Sequence, residues 1–236
     1  MKTLFKTAIV FLLVSLCHSA TYAQSEEIRR VSNFKGIHIS SGIDLYLKQG
    51  STESVKVVAE KDKMDKIITE NEGGILKIYV ESSKSWFDFE WKKSKAMKVY
   101  VTVKDLNNLS ATGGSDVYTE GKLDLINLEL RATGGSDIRL TLDADELTCS
   151  TTGGSDVILA GTATVFKASS TGGSDLKASN LKTNFCTVSS TGGSDAYVWA
   201  EKEISISATG GSDVYHKGGA RVVKSSSTGG SDIHKQ

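Results

Sequence analysis

Through the second half of the chain, apolar and polar positions alternate with a period of two, and a pentapeptide, Thr-Gly-Gly-Ser-Asp, interrupts the alternation at regular intervals. Period two is the mark of strands with one buried face. The pentapeptide occurs seven times, with its first glycine at Gly113, Gly134, Gly153, Gly172, Gly192, Gly210 and Gly229, giving gaps of 21, 19, 19, 20, 18 and 19 residues. Aligned on that glycine, the positions six residues earlier hold Leu128, Leu147, Phe166, Cys186, Ile204 and Val223. Those four earlier hold Leu109, Leu130, Cys149, Ala168, Val188 and Ile206. Both columns are expected to face inward. Two positions before the glycine stand Ala111, Ala132, Thr151, Ser170, Ser190, Ala208 and Ser227, small residues suited to a narrowing corner. Between them, Ser110, Ser150, Ser169, Ser189, Ser207 and Ser226 should face water, and the Thr and Ser of each pentapeptide should complete exposed ladders. After the aspartates the alternation resumes with Val117, Ile138, Val157, Leu176, Val214 and Ile233.

A unit of 19–20 residues is too short to bury its own apolar face, so neighbouring units must stack. The predicted fold is therefore all-β, a parallel β-helix or solenoid whose coils place like residues in ladders about 4.8 Å apart. Right-handedness follows from the general preference of parallel crossovers. Gly121, Gly161, Asn180 and Gly218 tolerate the left-handed backbone that a second corner needs. The chain has no proline, which suits ladders that use every backbone N–H.

Residues 24–105 are less regular. Strand-like runs cover Gly36 to Leu47, Glu53 to Ala59, Ile75 to Glu81 and Ala96 to Val103, and Ser41-Gly42-Ile43-Asp44 resembles a worn copy of the repeat. Met64, Ile67 and Ile68 have helical spacing, and Gly73-Gly74 would end such a helix, giving a short cap for the solenoid's open end. Ser85 to Lys95, with Trp86, Phe87, Phe89 and Trp91, reads as a hairpin tip. The expected division is thus a leader at 1–23, an N-terminal β region and cap at 24–105, and the repeat solenoid at 106–236.

The leader carries Lys2 and Lys6, an apolar run from Ala8 to Leu16, and small residues ending at Ala23. This order is that of a secretory signal peptide, with cleavage expected before Gln24. Cys17 would suit a lipid anchor only if a small residue preceded it, and Leu16 stands there. No later stretch approaches the ~20 apolar residues of a spanning helix, so no transmembrane segment is expected in the mature chain. The reading is an exported protein of the periplasm or cell surface. Lys plus Arg and Asp plus Glu both number 28, which argues against nucleic acid as a partner. Cys149 and Cys186 fall two coils apart and two residues out of phase, more than ~10 Å between Cα atoms, too far for a disulfide. They should be buried free thiols.

Chemistry is concentrated in one column, Asp116, Asp137, Asp156, Asp175, Asp195, Asp213 and Asp232. Carboxylates ~4.8 Å apart repel by about 0.9 kcal/mol per pair in water-like dielectric, so something must relieve them. One answer is N–H bonds from each aspartate's own glycine-rich corner. The other is a row of calcium ions, which take carboxylate and backbone oxygens at turns. Calcium-binding nonapeptide repeats recur every nine residues, whereas this motif returns about every nineteen. The Ser/Thr ladders either bind sugar or ice or simply solvate an exposed face. Trp86, Trp91, Tyr197 and Trp199 are candidate carbohydrate platforms, or a cover for the solenoid's end. A polysaccharide-processing enzyme needs one asymmetric acidic cluster in a groove, whereas here the acids repeat in register and His18, His38, His216 and His234 suggest no triad. No catalysis is expected.

The run Asn33-Phe34-Lys35-Gly36-Ile37-His38-Ile39-Ser40-Ser41-Gly42-Ile43-Asp44-Leu45-Tyr46-Leu47, followed by recurring Gly-Gly-Ser-Asp, resembles the bacterial auto-transporter adhesin, head GIN domain family over nearly all of the mature chain. The resemblance implies an exported β-solenoid and an adhesin-like role toward a cell-surface glycan or protein, with no catalytic residues to carry over. No translocating barrel follows the repeats in this sequence, so self-secretion is not expected.

Overall fold

The structure, a computed structural model, describes residues 24–81 and 97–236. Five long strands carry the repeats: β10 (Leu123–Thr133), β11 (Ile138–Thr152), β12 (Val157–Gly172), β13 (Leu176–Gly192) and β14 (Ala196–Gly210). Each is one coil from corner to corner, paired in parallel with the next, so that Leu130 lies beside Cys149, Cys149 beside Ala168, and Ala168 beside Val188. The next coil is formed by β15 (Asp213–Lys217) and β16 (Arg221–Gly229), and β17 (Asp232–Lys235), paired on β15, begins one more rung. The protein is thus a parallel β-solenoid, as the period required. Coils of unequal length stay in phase through bulges, one between Ile158 and Ala160 and two between Lys177 and Phe185.

The stack begins earlier than the first pentapeptide. Strands β2 (Gly36–Ile39) and β3 (Ile43–Gln49) pair in parallel with β8 (Asn108–Ala111) and β9 (Val117–Thr119), placing Ile39 beside Ala111 and Leu45 beside Val117. The run Gly36 to Leu47 is therefore two strands, broken where Ser41 and Gly42 take φ of 70° and 69°. That turn stacks on Gly113-Gly114, so the worn copy is a true rung. Beyond it lie β6 (Ile75–Val80) and β7 (Met97–Val103), still parallel to β2 and β3.

The cap differs from the expected helix. Only one helical turn forms, α1 (Lys61–Met64), while Ile67 and Ile68 open the strand β5 (Ile67–Glu72). Gly73-Gly74, with φ of 61° and 84°, is the tight turn of the β5–β6 hairpin rather than a helix stop. Positive φ at both central residues is what a two-residue hairpin demands, and β-branched isoleucines suit the strand beside it. The parallel stack is closed by strands of opposite sense: β5 on β6, then β4 (Ser54–Glu60) on β7 and β1 (Gln24–Arg29) on β4. Strands on both sides of residue 105 belong to one sheet of 17 strands. Residues 85–95, read as a hairpin tip with Trp86 and Trp91, lie outside the described residues.

The inward columns form one continuous core, with Leu109, Leu130, Leu147, Phe166 and Ile204 all at most 2 % exposed. Cys149 and Cys186 are free and buried, and burial pushes both thiols up to about 12. Val223, expected inside, is 46 % exposed because a register shift after Ile204 displaces the last coil, which no further coil covers. Ser110, expected outside, is only 9 % exposed, lying between His38 and Arg131 in its ladder.

The largest correction concerns the pentapeptide serine. Ser115, Ser136, Ser155, Ser174, Ser194 and Ser212 are completely buried. Each turns inward at the corner because its hydroxyl satisfies backbone groups that the turn would orphan. In the early coils it accepts amides of the preceding coil: Ile43 N–H donates to Ser115 Oγ (3.1 Å) and Ser115 N–H to Ser136 Oγ (3.2 Å). In later coils it donates to carbonyls, Ser194 Oγ lying 3.0 Å from Thr191 O and 3.1 Å from Ser170 O. The switch coincides with a change of turn. Both glycines have positive φ in the first three copies, and only the first glycine does from Gly172 onward.

The column that continues Val198 turns polar at its end, holding His216, which is buried, and then Lys235, which is exposed. His216 is 5 % exposed. Burial, and secondarily Lys235, lowers its pKa below 6.5; burial and Lys77 do the same for His38. Because both native values lie below the unfolded one, the unfolded chain binds more protons as pH falls through 6.5, and stability falls with it. The denaturant midpoint should therefore drop between pH 7.5 and pH 5.5. The drop should shrink in a His38→Asn, His216→Asn double variant, and an unchanged pH dependence there would refute the assignment.

Candidate functional site

The pentapeptide aspartates stand just before each new strand, or at its first residue in β15 and β17, and parallel register stacks them as the notable column of the surface. The pairing of Leu45 with Val117 adds Asp44 as a first rung, whose only sequence signal was the worn repeat. The repulsion is relieved between coils, not within each corner. Asp137 N–H donates to Asp116 Oδ1 (3.3 Å), Asp175 to Asp156 (3.3 Å), Asp213 to Asp195 (3.1 Å) and Asp232 to Asp213 (3.0 Å). The aspartate carbonyls in turn accept from the preceding coil, as with Val117 N–H to Asp137 O (2.8 Å). A side chain that takes the amide of the coil above clips two coils together.

Two positions after each aspartate runs a second column: Tyr46, Tyr118, Arg139, Ile158, Lys177, Tyr197, Tyr215 and His234. Its cations neutralise the ladder, Arg139 pairing with Asp137 (3.1 Å) and Lys177 with Asp175 (3.0 Å) and Asp156 (3.8 Å). The bond to Asp175 raises the Lys177 pKa. Tyr118 donates to Asp116 Oδ2 (3.2 Å), and burial, then the Asp116 charge, raises its pKa. Burial raises Asp44 as well, with Asp116 adding to the shift and Lys98 opposing it. A continuous row of calcium ions would compete with both the amides and these cations for the same oxygens.

The aromatic members stack along the solenoid. Tyr46 lies between Tyr100 (4.9 Å) and Tyr118 (5.5 Å), and Tyr197 stacks on Tyr215 at 4.7 Å and 6°. Trp199 sits in register between Lys182 and Lys217, whose ammonium groups lie 5.4 and 4.6 Å from its ring centre, one from each neighbouring coil. The ladder therefore covers both ring faces of Trp199, whose indole N–H donates to Glu201 (3.1 Å), and one face of Tyr197. Tyr215 and His234, which complete this patch, were visible in the sequence only as a column two places after the aspartates. Trp86 and Trp91 are not among the described residues, so the four aromatic candidates are not brought together here.

The end of each coil, where it enters the next pentapeptide corner, presents an array of uncharged hydroxyl side chains. Ser150, Ser169, Ser189, Ser207 and Ser226 stack in one column, and Thr152, Thr171, Thr191, Thr209 and Thr228 in the next. Parallel geometry spaces these hydroxyls at about 4.8 Å across coils and about 6.6 Å along the strand. Among the described residues none of these ten hydroxyls has a hydrogen-bond partner. All their donor and acceptor capacity faces solvent.

The fold and its surfaces define a serial β-solenoid scaffold with a ladder-built exterior. The chain belongs to the family described as "putative auto-transporter adhesin, head GIN domain", whose model matches residues 33–220. Solved structures agree at the level of fold. One described as a putative adhesin from Bacteroides fragilis NCTC 9343 is 24 % identical, covers 92 % of this chain and 98 % of its own, and superposes with a TM-score of 0.83. A second, described as a putative adhesin from Parabacteroides merdae ATCC 43184, is 16 % identical with a TM-score of 0.71 over 92 % and 97 % of the chains. A third, described as a putative lipid binding protein from Parabacteroides distasonis ATCC 8503, is 17 % identical with a TM-score of 0.67 over 92 % and 98 %. No curated protein matches this chain. Among the described residues no helix is long and apolar enough to cross a membrane.

Proposed function

We propose that this is an exported, non-catalytic adhesin that holds a hydroxyl-rich polysaccharide at the cell surface through the Ser/Thr array. The observation that carries the reading is the array itself: ten aligned hydroxyls without protein partners in two adjacent columns, bordered by Arg131 and Lys167. Many weak hydrogen bonds to a repeating polymer add up along such a face, and avidity replaces a deep pocket. The family description and the export signal read from the first 23 residues support the same role. The acidic side chains favour a scaffold over an enzyme, since they repeat in register and clip coils together instead of converging once on a groove.

Retention of the purified chain on a panel of insoluble and immobilised polysaccharides tests this. A Ser189→Lys, Thr191→Lys variant places charge in the middle of the array and should lose at least tenfold in retention. Arg139→Ala, on the aspartate face, should retain normally. Equal retention by the array variant, or no retention of the parent on any polysaccharide, would refute the proposal.

A further inference from the structure

The aspartate ladder changes character near its end. Up to Asp175 the column beside it supplies two cations among Tyr46, Tyr118 and Ile158, Arg139 at Asp137 and Lys177 at Asp156 and Asp175, while Lys98 stands beside Asp44. From Asp195 onward that column holds Tyr197, Tyr215 and His234. Among the described residues no lysine or arginine pairs with Asp195, Asp213 or Asp232. His234 closes this uncharged end of the column.

We propose that Asp213, Asp232 and His234 form a binding site for one divalent transition-metal ion of the zinc class. One ligand atom from each of the three lies within 4.8 Å of the other two. A point can therefore be found within about 2.8 Å of all three atoms, and small side-chain rotations close that to the ~2.0–2.2 Å of zinc–nitrogen and zinc–oxygen bonds. The groups are held in place by bonds along the ladder. Asp213 Oδ1 accepts the Asp232 amide at 3.0 Å and Oδ2 the Tyr215 hydroxyl at 3.5 Å, which orients the carboxylate; an ion would displace the longer of these two bonds. The His234 ring stacks on Tyr215 at 4.8 Å and 18°, so its plane is set before any ion arrives. The strands beneath are fixed by the register that pairs Asp213 with Asp232 and Tyr215 with His234.

The donor set selects the metal class. Calcium and magnesium take oxygen ligands, whereas an imidazole with two carboxylates suits zinc, nickel or copper. Three protein ligands leave further positions to water or to an outside donor. The ion would supply at the last rung described the positive charge that Arg139 and Lys177 supply earlier, and would tie β15 to β17. The inference does not rest on polysaccharide binding.

Titration calorimetry of the tag-free chain with zinc chloride at pH 7.5 tests it. One zinc per chain is expected, with binding weakened at least tenfold in His234→Ala and in Asp232→Asn. Asp137→Asn, on a rung already served by Arg139, should bind like the parent, and calcium chloride should neither bind there nor compete. Thermal midpoints of all variants measured with chelator should match the parent, showing that the folded last coil is intact. No zinc uptake at millimolar concentration, or uptake unchanged by His234→Ala, would overturn the site. Calcium binding that survives His234→Ala would overturn it too, assigning the charge to the ladder as a whole.

Discussion

Replacing Gly161 by alanine should lower the thermal midpoint by roughly 6–12 °C, the shift expected of about 3 kcal/mol in a domain near 200 residues. Two independent penalties combine. Gly161 has φ of +114°, a region that side chains avoid at a cost of about 1–3 kcal/mol. A Cβ there would also stand 1.9 Å from Leu142 O and 2.9 Å from Leu142 C. Those atoms belong to the backbone of the coil below, paired in register with Gly161 itself. The clash cannot be relieved by a rotamer change; the ladder between β11 and β12 must open. Gly173→Ala is the matching control, since its Cβ would meet nothing within 4 Å. It should stay within about 0.5 kcal/mol of the parent. Circular-dichroism melts of the two variants decide the matter, and similar midpoints would contradict the corner geometry.

Phe166→Ala should cost about 3–5 kcal/mol, the range for removing a fully buried ring. Phe166 is 1 % exposed and occupies the column between Leu147 and Cys186. A solenoid core is one side chain deep at each level, so only the residues directly above and below can relax into the space. Because each coil contacts only its neighbours, the loss is local, and the coils on both sides lose their coupling. The Cys186 thiol reports this. It is now buried and held largely protonated, its pKa pushed up to about 12, and should react slowly with a thiol reagent. In Phe166→Ala it should become markedly more reactive under native conditions, with an earlier urea transition. Unchanged reactivity and midpoint would show that the core repacks more freely than the stacked columns allow.

Several features of the fold were legible from pattern alone. The recurrence of the pentapeptide implied stacked coils, and parity placed Leu130, Cys149, Ala168 and Val188 inside one column, where they lie. The separation of the two cysteines followed from the same count. What failed did so for local reasons. Ile67, Ile68 and the Gly-Gly pair fit either a helix with its stop or a hairpin with its turn, and only pairing with Ile75 to Val80 selects the second. The pentapeptide serine was misread because the count was not carried through the corner: Ser115 stands two places after Gly113 and two before Val117, so it shares the inward parity of Leu109 and Ala111 and is buried with them. Val223 failed because a bulge displaced its strand.

The candidate surfaces divide in the same way. The members of each column could be read off the aligned repeats, but not what each carboxylate does. Asp116 and Asp213 are identical in local sequence, Ser-Asp-Val-Tyr in both cases. Their environments differ through the coil that follows, which brings Arg139 beside the first ladder segment and His234 beside the last. The amino-acid sequence by itself determined the coil, its period and its inward columns, since these follow from spacing along one strand and from the need to bury an apolar face too large for a single coil. Only the tertiary structure decided which hydroxyls are buried, which aspartate clips which coil, and where the ladder lacks a cation. Those properties belong to pairs of residues about nineteen positions apart, and are set by the register in which one coil lands on the next.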